Sequence, residues 1–226
     1  MTFPAVPTQM IVLPIKEGLK IEDASTKEGQ LWSQILDILE RWSGFRRLYW
    51  GRHVEEANQV HLHIVRANLH QHYALLSSRE WEQITTILKS LGVPDASSLT
   101  VRHAMIAEFS PNPRSLGNGA PVTGTAIYLT ADPAAWEKTW ALWTGIVSSV
   151  PGCIGVTGGW MVEPVEGNSP CYIVYVGWES IEVHDSYHNT KHFRRRAVIL
   201  SENNQGFREY GHIAFKHSRV RQEANL

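Results

Sequence analysis

The chemistry in this chain concentrates in one stretch, Cys171–Phe193, CYIVYVGWESIEVHDSYHNTKHF. His184, His188 and His192 stand at i, i+4 and i+8, so a continuous helix would present all three imidazoles on one face. An imidazole changes protonation near neutral pH, which suits the removal and return of protons. Tyr187 adds a phenolic hydroxyl that can hydrogen-bond a developing enolate or phenolate oxygen. The candidate catalytic set is His192, Tyr187 and His188.

Other histidines fall on strands. His61 and His63 alternate on one face of an early strand, with Leu62 and Ile64 on the other. Two imidazoles on one strand face can ligate a metal, yet no carboxylate or third histidine stands at a recognisable ligand spacing. These two are instead assigned, with Tyr175, Trp178, His184 and His212, to a substrate-lining set. No metal and no cofactor is expected. His103 and His212 sit in two late strands as a symmetric pair, and His72 is expected at the surface. The chain has no GxGxxG, Walker A, GxSxG or CxxC sequence. Thr157-Gly158-Gly159-Trp160 is too short to cradle a phosphate and reads as a strand crowded by its neighbours.

The elements that must position these residues follow from hydrophobic period. Strands are expected at Met10–Ile15, Phe45–Glu55, Val60–Arg66, Leu99–Phe109, Thr123–Thr130, Ile154–Val162, Tyr172–Trp178 and Arg208–Lys216. Helical stripes run through Leu31, Ile35, Ile38 and Trp42, through Ile84, Ile87, Leu88 and Leu91, and through Trp136, Trp140, Trp143 and Val147. Aromatic stripes of the last kind belong to a core. Asp132-Pro133 supplies an N-cap and a first helical residue, and the histidine-bearing segment is expected to be helical to about Leu200.

The order βαββαβ occurs twice. Arg66–Trp81 lies on Trp178–Phe193 without a gap, placing Leu69 on Ile181, His72 on His184 and Trp81 on Phe193. The expected organisation is a first half at 1–110, a Pro/Gly-rich linker at 111–122 and a second half at 123–226. Two helices cover one face of such a sheet, and the two copies can bury their other faces against each other. The fold class is thus α+β: two tandem ferredoxin-like units whose antiparallel sheets pack into an intrachain barrel.

Composition narrows the partners. The formal net charge of −1 over 226 residues gives no global field for nucleic acid or an anionic membrane. Lys191 with Arg194-Arg195-Arg196 reads as a solvated helix face. No apolar run approaches the roughly 20 residues that span a bilayer, and MTFPAVPTQM lacks the features of a signal peptide. Cys153 and Cys171, the two cysteines, fall far apart in the expected hairpin, so reduced thiols and a cytoplasmic location are expected.

Three segments resemble the dimeric α+β barrel superfamily, in particular its stress-responsive and antibiotic-biosynthesis-monooxygenase-like members. Leu48-Tyr49-Trp50-Gly51-Arg52 is similar to a strand of plant polyketide cyclases of the olivetolic acid cyclase type. Glu179-Ser180-Ile181-Glu182 resembles their F-E-S-x-E, and Asp185–Phe193 their D-Y-x-x-H-P-x-H-V. The chain departs from that pattern by lacking the proline, by shifting the first histidine to His188 and by placing Ser186 at the family tyrosine position. The resemblance implies that His192 is the base of the second half, where the first half has Glu80. It further implies a cofactor-independent enzyme of polyketide or aromatic biosynthesis that cyclises, isomerises or dehydrates an enolisable intermediate. A cofactor-free quinone-forming monooxygenase, a non-enzymatic small-molecule binder and a haem-degrading protein are the alternatives. The expected partner is a small hydrophobic or aromatic substrate, with the chain a monomer or weak homodimer.

Overall fold

Thr26 decides where the first helix begins. Its hydroxyl accepts the Gly29 amide at 3.0 Å, so α1 spans Lys27–Arg41, starting ahead of its apolar stripe. The computed structural model describes residues 5–16, 18–108 and 120–221. Before α1 runs β1 (Val6–Pro14), and after it the hairpin β2 (Phe45–His53) and β3 (Gln59–Arg66). Then come α2 (Leu69–Leu76), α3 (Arg79–Ser90), a 3-10 turn at Ala96–Ser98 and β4 (Thr100–Glu108). Of the expected linker, residues 111–119 lie outside the described residues.

The second half repeats the plan. β5 (Val122–Leu129) leads to α4 (Pro133–Val147), where the Asp132 carboxylate accepts the Ala135 amide at 3.0 Å. The hairpin β6 (Cys153–Met161) and β7 (Cys171–Trp178) follows. Its register sets Cys153 opposite Trp178, which keeps the two thiols apart. Next are α5 (Ile181–His188), α6 (Lys191–Arg196) and α7 (Val198–Ser201), and β8 (Phe207–Val220) closes the chain. The strands hydrogen-bond in the order β1-β3-β2-β8-β5-β7-β6-β4 as a closed barrel. Each half thus contributes a ferredoxin-like sheet, and the α+β barrel expected from the repeat is the architecture found. Among the described residues no helix is long and apolar enough to cross a membrane.

Two compact units result, one mainly Val6–His103 and the other mainly Ala104–Lys216. In the first, Trp32, Ile35 and Leu39 of α1 meet Ile11, Leu13, Leu48, Leu62 and Ile64. Arg66 is fully buried there, and its guanidinium donates to the Leu39, Trp42 and Ser43 carbonyls at 2.9, 3.1 and 3.3 Å, capping the end of α1. In the second, Trp136, Trp140 and Trp143 pack on Val156, Tyr172, Val174 and Trp178. The tryptophan stripe is core, as its spacing predicts.

One expectation is corrected. The histidine segment is not one helix to Leu200: α5 stops at His188 and a new helix starts at Lys191. Thr190 causes the break, because its hydroxyl donates to the Tyr187 carbonyl at 2.7 Å and accepts the Phe193 amide at 3.0 Å, ending one helix and capping the next.

β6 is crowded as its glycines suggest. A Cβ on Gly158 would stand 2.7 Å from the Ile173 carbonyl, and one on Gly159, opposite Ile106, would press into the Met105 carbonyl. Gly159→Ala should therefore cost about 2–3 kcal/mol, lowering Tm by roughly 5–10 °C. Gly145→Ala, in α4 with nothing near its Cβ, should leave Tm unchanged or raise it. Thermal denaturation of the two variants checks both.

Candidate active site

α5 is placed by its entry. The Ser180 hydroxyl accepts the Val183 amide at 3.2 Å, and the Glu179 amide donates to the Gly152 carbonyl at 2.9 Å, tying the helix to the loop after α4. Gly152 has φ 86° and a Cβ there would collide with Val183, so this approach requires glycine on both counts. Gly44, with φ 73°, meets Gln71 in the same way in the first half, which supports the repeat.

Between this loop and α5 opens a cleft of about 730 Å³. Val150, Pro151 and Val183 give it apolar walls, Glu179 and Glu182 line it with carboxylates, and Tyr187 and His192 contribute their rings. The Tyr187 oxygen lies 3.2 Å from Nδ1 of His192. Tyr187 is buried and His192 exposed. Burial raises the tyrosine pKa, while the Arg196 cation acts in the opposite direction.

The remaining imidazoles of the stretch turn elsewhere. Nδ1 of His184 lies 2.7 Å from Nε2 of His212 on β8, both rings buried. Trp178 stacks on His184 at 4.7 Å between centroids, and the His188 ring meets it at 4.4 Å. Burial, helped by the two neighbouring imidazoles, pushes the His184 pKa down to about 3. Of the predicted residues, then, Tyr187 and His192 meet in the cleft, whereas His184, His188, His212 and Trp178 form a second cluster. The expected single face of three histidines does not form, because the break at Asn189-Thr190 redirects His192.

Tyr175 is buried on β7, and burial with the Glu209 charge nearby lifts its pKa well above the usual value. His61 and His63 belong to the first unit, in a ladder with His53 at 5.7 and 6.2 Å between successive rings. Burial lowers His61 to about 3, aided by His53, and holds His63 well below the ordinary range. His72, expected at the surface, is fully buried. Its Nε2 lies 3.3 Å from the Pro7 carbonyl and its ring 5.4 Å from that of His103. Its repeat counterpart His184 is buried too, so the position rather than the polarity of the side chain sets its burial. The loop wall at Ser149–Gly152 is not among the sequence-derived site residues, and Glu179 and Glu182 enter the sequence reading only through the F-E-S-x-E resemblance, with no role assigned.

The buried imidazoles of the first unit predict acid sensitivity. Burial pushes His72 down to about 4, against the weaker opposing effect of the hydrogen bond it donates to the Pro7 carbonyl. With folded-state pKa values depressed, His61, His63 and His72 stay neutral in the folded chain while the unfolded chain binds protons below about pH 6.5. Stability is then complete above pH 6.5 and falls as pH drops toward 4, by up to about 1.4 kcal/mol per pH unit for each imidazole. Urea midpoints measured from pH 7.5 to 5 should fall steadily; a flat profile would contradict neutral burial.

No protein-family model matches this sequence, and comparison with curated proteins gives no match. Solved structures do match. An anthrone oxidase-like protein superposes with a TM-score of 0.63 at 12% identity, over 97% of this chain and 96% of its own. A candidate monooxygenase of Fusobacterium nucleatum gives 0.59 at 9% identity, over 96% and 95%. One of Lactobacillus acidophilus gives 0.55 at 13%, over 96% and 100%. At such identities the likeness shows the fold alone.

Proposed function

We propose that this chain is an acid–base enzyme that deprotonates a small, enolisable, aromatic or polyketide-like substrate in the cleft beside α5. The carrying observation is the 3.2 Å contact between Tyr187 and His192 at the apolar wall. In the productive tautomer, Nδ1–H of His192 donates to the Tyr187 oxygen. Nε2 then keeps its lone pair for the substrate C–H, and the tyrosine O–H is left to donate to the forming enolate oxygen. Val150, Pro151 and Val183 receive the apolar body of the substrate. The proton held on Nε2 returns to carbon in an isomerisation, or passes to a departing hydroxyl in a cyclisation with dehydration. Base and hydrogen-bond donor are both side chains, so this sequence of steps calls on no cofactor. We infer that a single chain suffices for it, as a monomer or weak homodimer, since each residue invoked lies in one unit.

A second reading keeps the same base. The structural neighbours described as candidate monooxygenases and anthrone oxidase-like favour oxidation, in which the deprotonated phenol or anthrone itself reduces dioxygen.

Deuterium uptake from D2O at the acidic carbon of anthrone and naphthol-type probes tests the step common to both. His192→Ala should slow the exchange by about 10²–10⁴-fold and Tyr187→Phe by about tenfold or more, with the fold intact because His192 is exposed. Exchange unchanged in His192→Ala would remove the base from this reading. Oxygen uptake with the same probes then distinguishes oxidation from cyclisation.

A further inference from the structure

His184, Asp185 and His212 are not used by the cleft chemistry, yet one ligand atom from each lies within 4.8 Å of the others. We propose that these three residues hold a borderline divalent metal ion of the Zn²⁺ class, clipping α5 to β8.

The donor set is two imidazole nitrogens and one carboxylate. It suits Zn²⁺, Co²⁺ and Ni²⁺ and disfavours Mg²⁺ and Ca²⁺, which require mainly oxygen. Nδ1 of His184 and Nε2 of His212 face each other at 2.7 Å. Zn–N bonds of about 2.0–2.1 Å at a tetrahedral angle separate two ligand nitrogens by roughly 3.3 Å, so a small ring rotation admits the ion. Trp178, stacked on His184, fixes the plane of that ring. Asp185 is exposed and His188 half-buried, which gives the ion a way in from solvent. Three protein ligands leave a position for water.

The first half supplies an internal control, since its matching pair is built differently. Gln9 stands opposite Ile64 as Gly124 stands opposite Val176, and Ile64 and Val176 are equivalent in the repeat. The Gln9 amide lies 3.1 Å from Nε2 of His103, occupying a nitrogen that a metal would need. Gly124 has no side chain to reach a ring nitrogen, and the His184 ring takes that place: a Cβ on Gly124 would come within 3.1 Å of it. Tyr73 follows His72 where Asp185 follows His184, so the first half lacks the carboxylate. Arg66 acts electrostatically on His72, and its equivalent beside His184 is the neutral Trp178. Amide, missing carboxylate and cation each exclude a metal from the first pair, and all three are changed in the second.

The experiment titrates EDTA-treated, dialysed full-length protein with Zn²⁺ by calorimetry and with Co²⁺ by visible absorption. One equivalent should bind in the micromolar range or tighter, with Co²⁺ bands of a four-coordinate site and a rise in Tm on Zn²⁺ addition. Asp185→Asn, at an exposed position that folding tolerates, should weaken binding about tenfold or more, and His212→Gln should abolish it. His70→Ala, an exposed histidine outside the cluster, should change nothing. The proposal is overturned if no saturable binding occurs below about 1 mM, or if one equivalent binds equally well to wild type, Asp185→Asn and His212→Gln. Because the readout is metal rather than turnover, failure here leaves the base chemistry of the cleft standing, and the reverse holds too.

Discussion

Strands buried on both faces set the terms for the rest of this molecule. β5 and β7 are buried along nearly their whole length, although the helices of a ferredoxin-like unit cover only one side of a sheet. The two sides are filled differently. Toward the helices lie the apolar positions, Val122 and Ala126 on β5, Tyr172, Val174 and Trp178 on β7. The alternate positions include Thr123, Thr125, Thr157 and Tyr175, all buried. Buried polar groups must be partnered, and the Thr157 hydroxyl donates to the Ala107 carbonyl at 2.6 Å.

The two halves show how one backbone plan supports two side-chain programmes. Equivalent glycines, Gly44 and Gly152, turn the chain at the same point with positive φ. Beyond the turn the programmes part. In the first half Arg66 is consumed in capping α1, the Gln9 amide meets Nε2 of His103, and Nε2 of His72 meets the Pro7 carbonyl. In the second half an uncharged tryptophan occupies the arginine position, and a glycine replaces the glutamine.

Much of the fold was legible in the sequence because it rests on local signals that reinforce one another. The tryptophan period of α4, its Asp132-Pro133 start and the aromatic and β-branched run of β7 each agree with the tertiary outcome, and the repeat ties them into one architecture. Two features were harder. The imidazole spacing at 184, 188 and 192 carries a helical period that Thr190 cancels, since a hydroxyl able to bond its own backbone outweighs a match of side-chain type. His72 looked like a surface residue because a histidine in a polar stretch carries no burial signal of its own; Pro7 and His103, which accommodate it, are distant in sequence. The cleft was legible only in its rings. Its wall depends on Gly152 meeting Val183, a close approach between segments some thirty residues apart that no local pattern encodes.

The break at Asn189-Thr190 is what brings together two ring side chains five residues apart. In an uninterrupted α-helix, at about 100° per residue, positions 187 and 192 would point roughly 140° away from each other. His192 would then stand closer to the line of His184 and His188 than to Tyr187. Ending α5 at His188 and restarting at Lys191 instead brings Nδ1 of His192 to 3.2 Å from the tyrosine hydroxyl. The same break separates two environments along one short segment. His184 is left against β8, buried and neutral, while His192 emerges at the mouth of the cleft, where a proton taken from a substrate can be passed to water. In the proposed reaction, a base that exchanges its proton in every turnover would benefit from that exposure, and the buried tyrosine beside it would supply the hydrogen bond that gains strength where water is excluded.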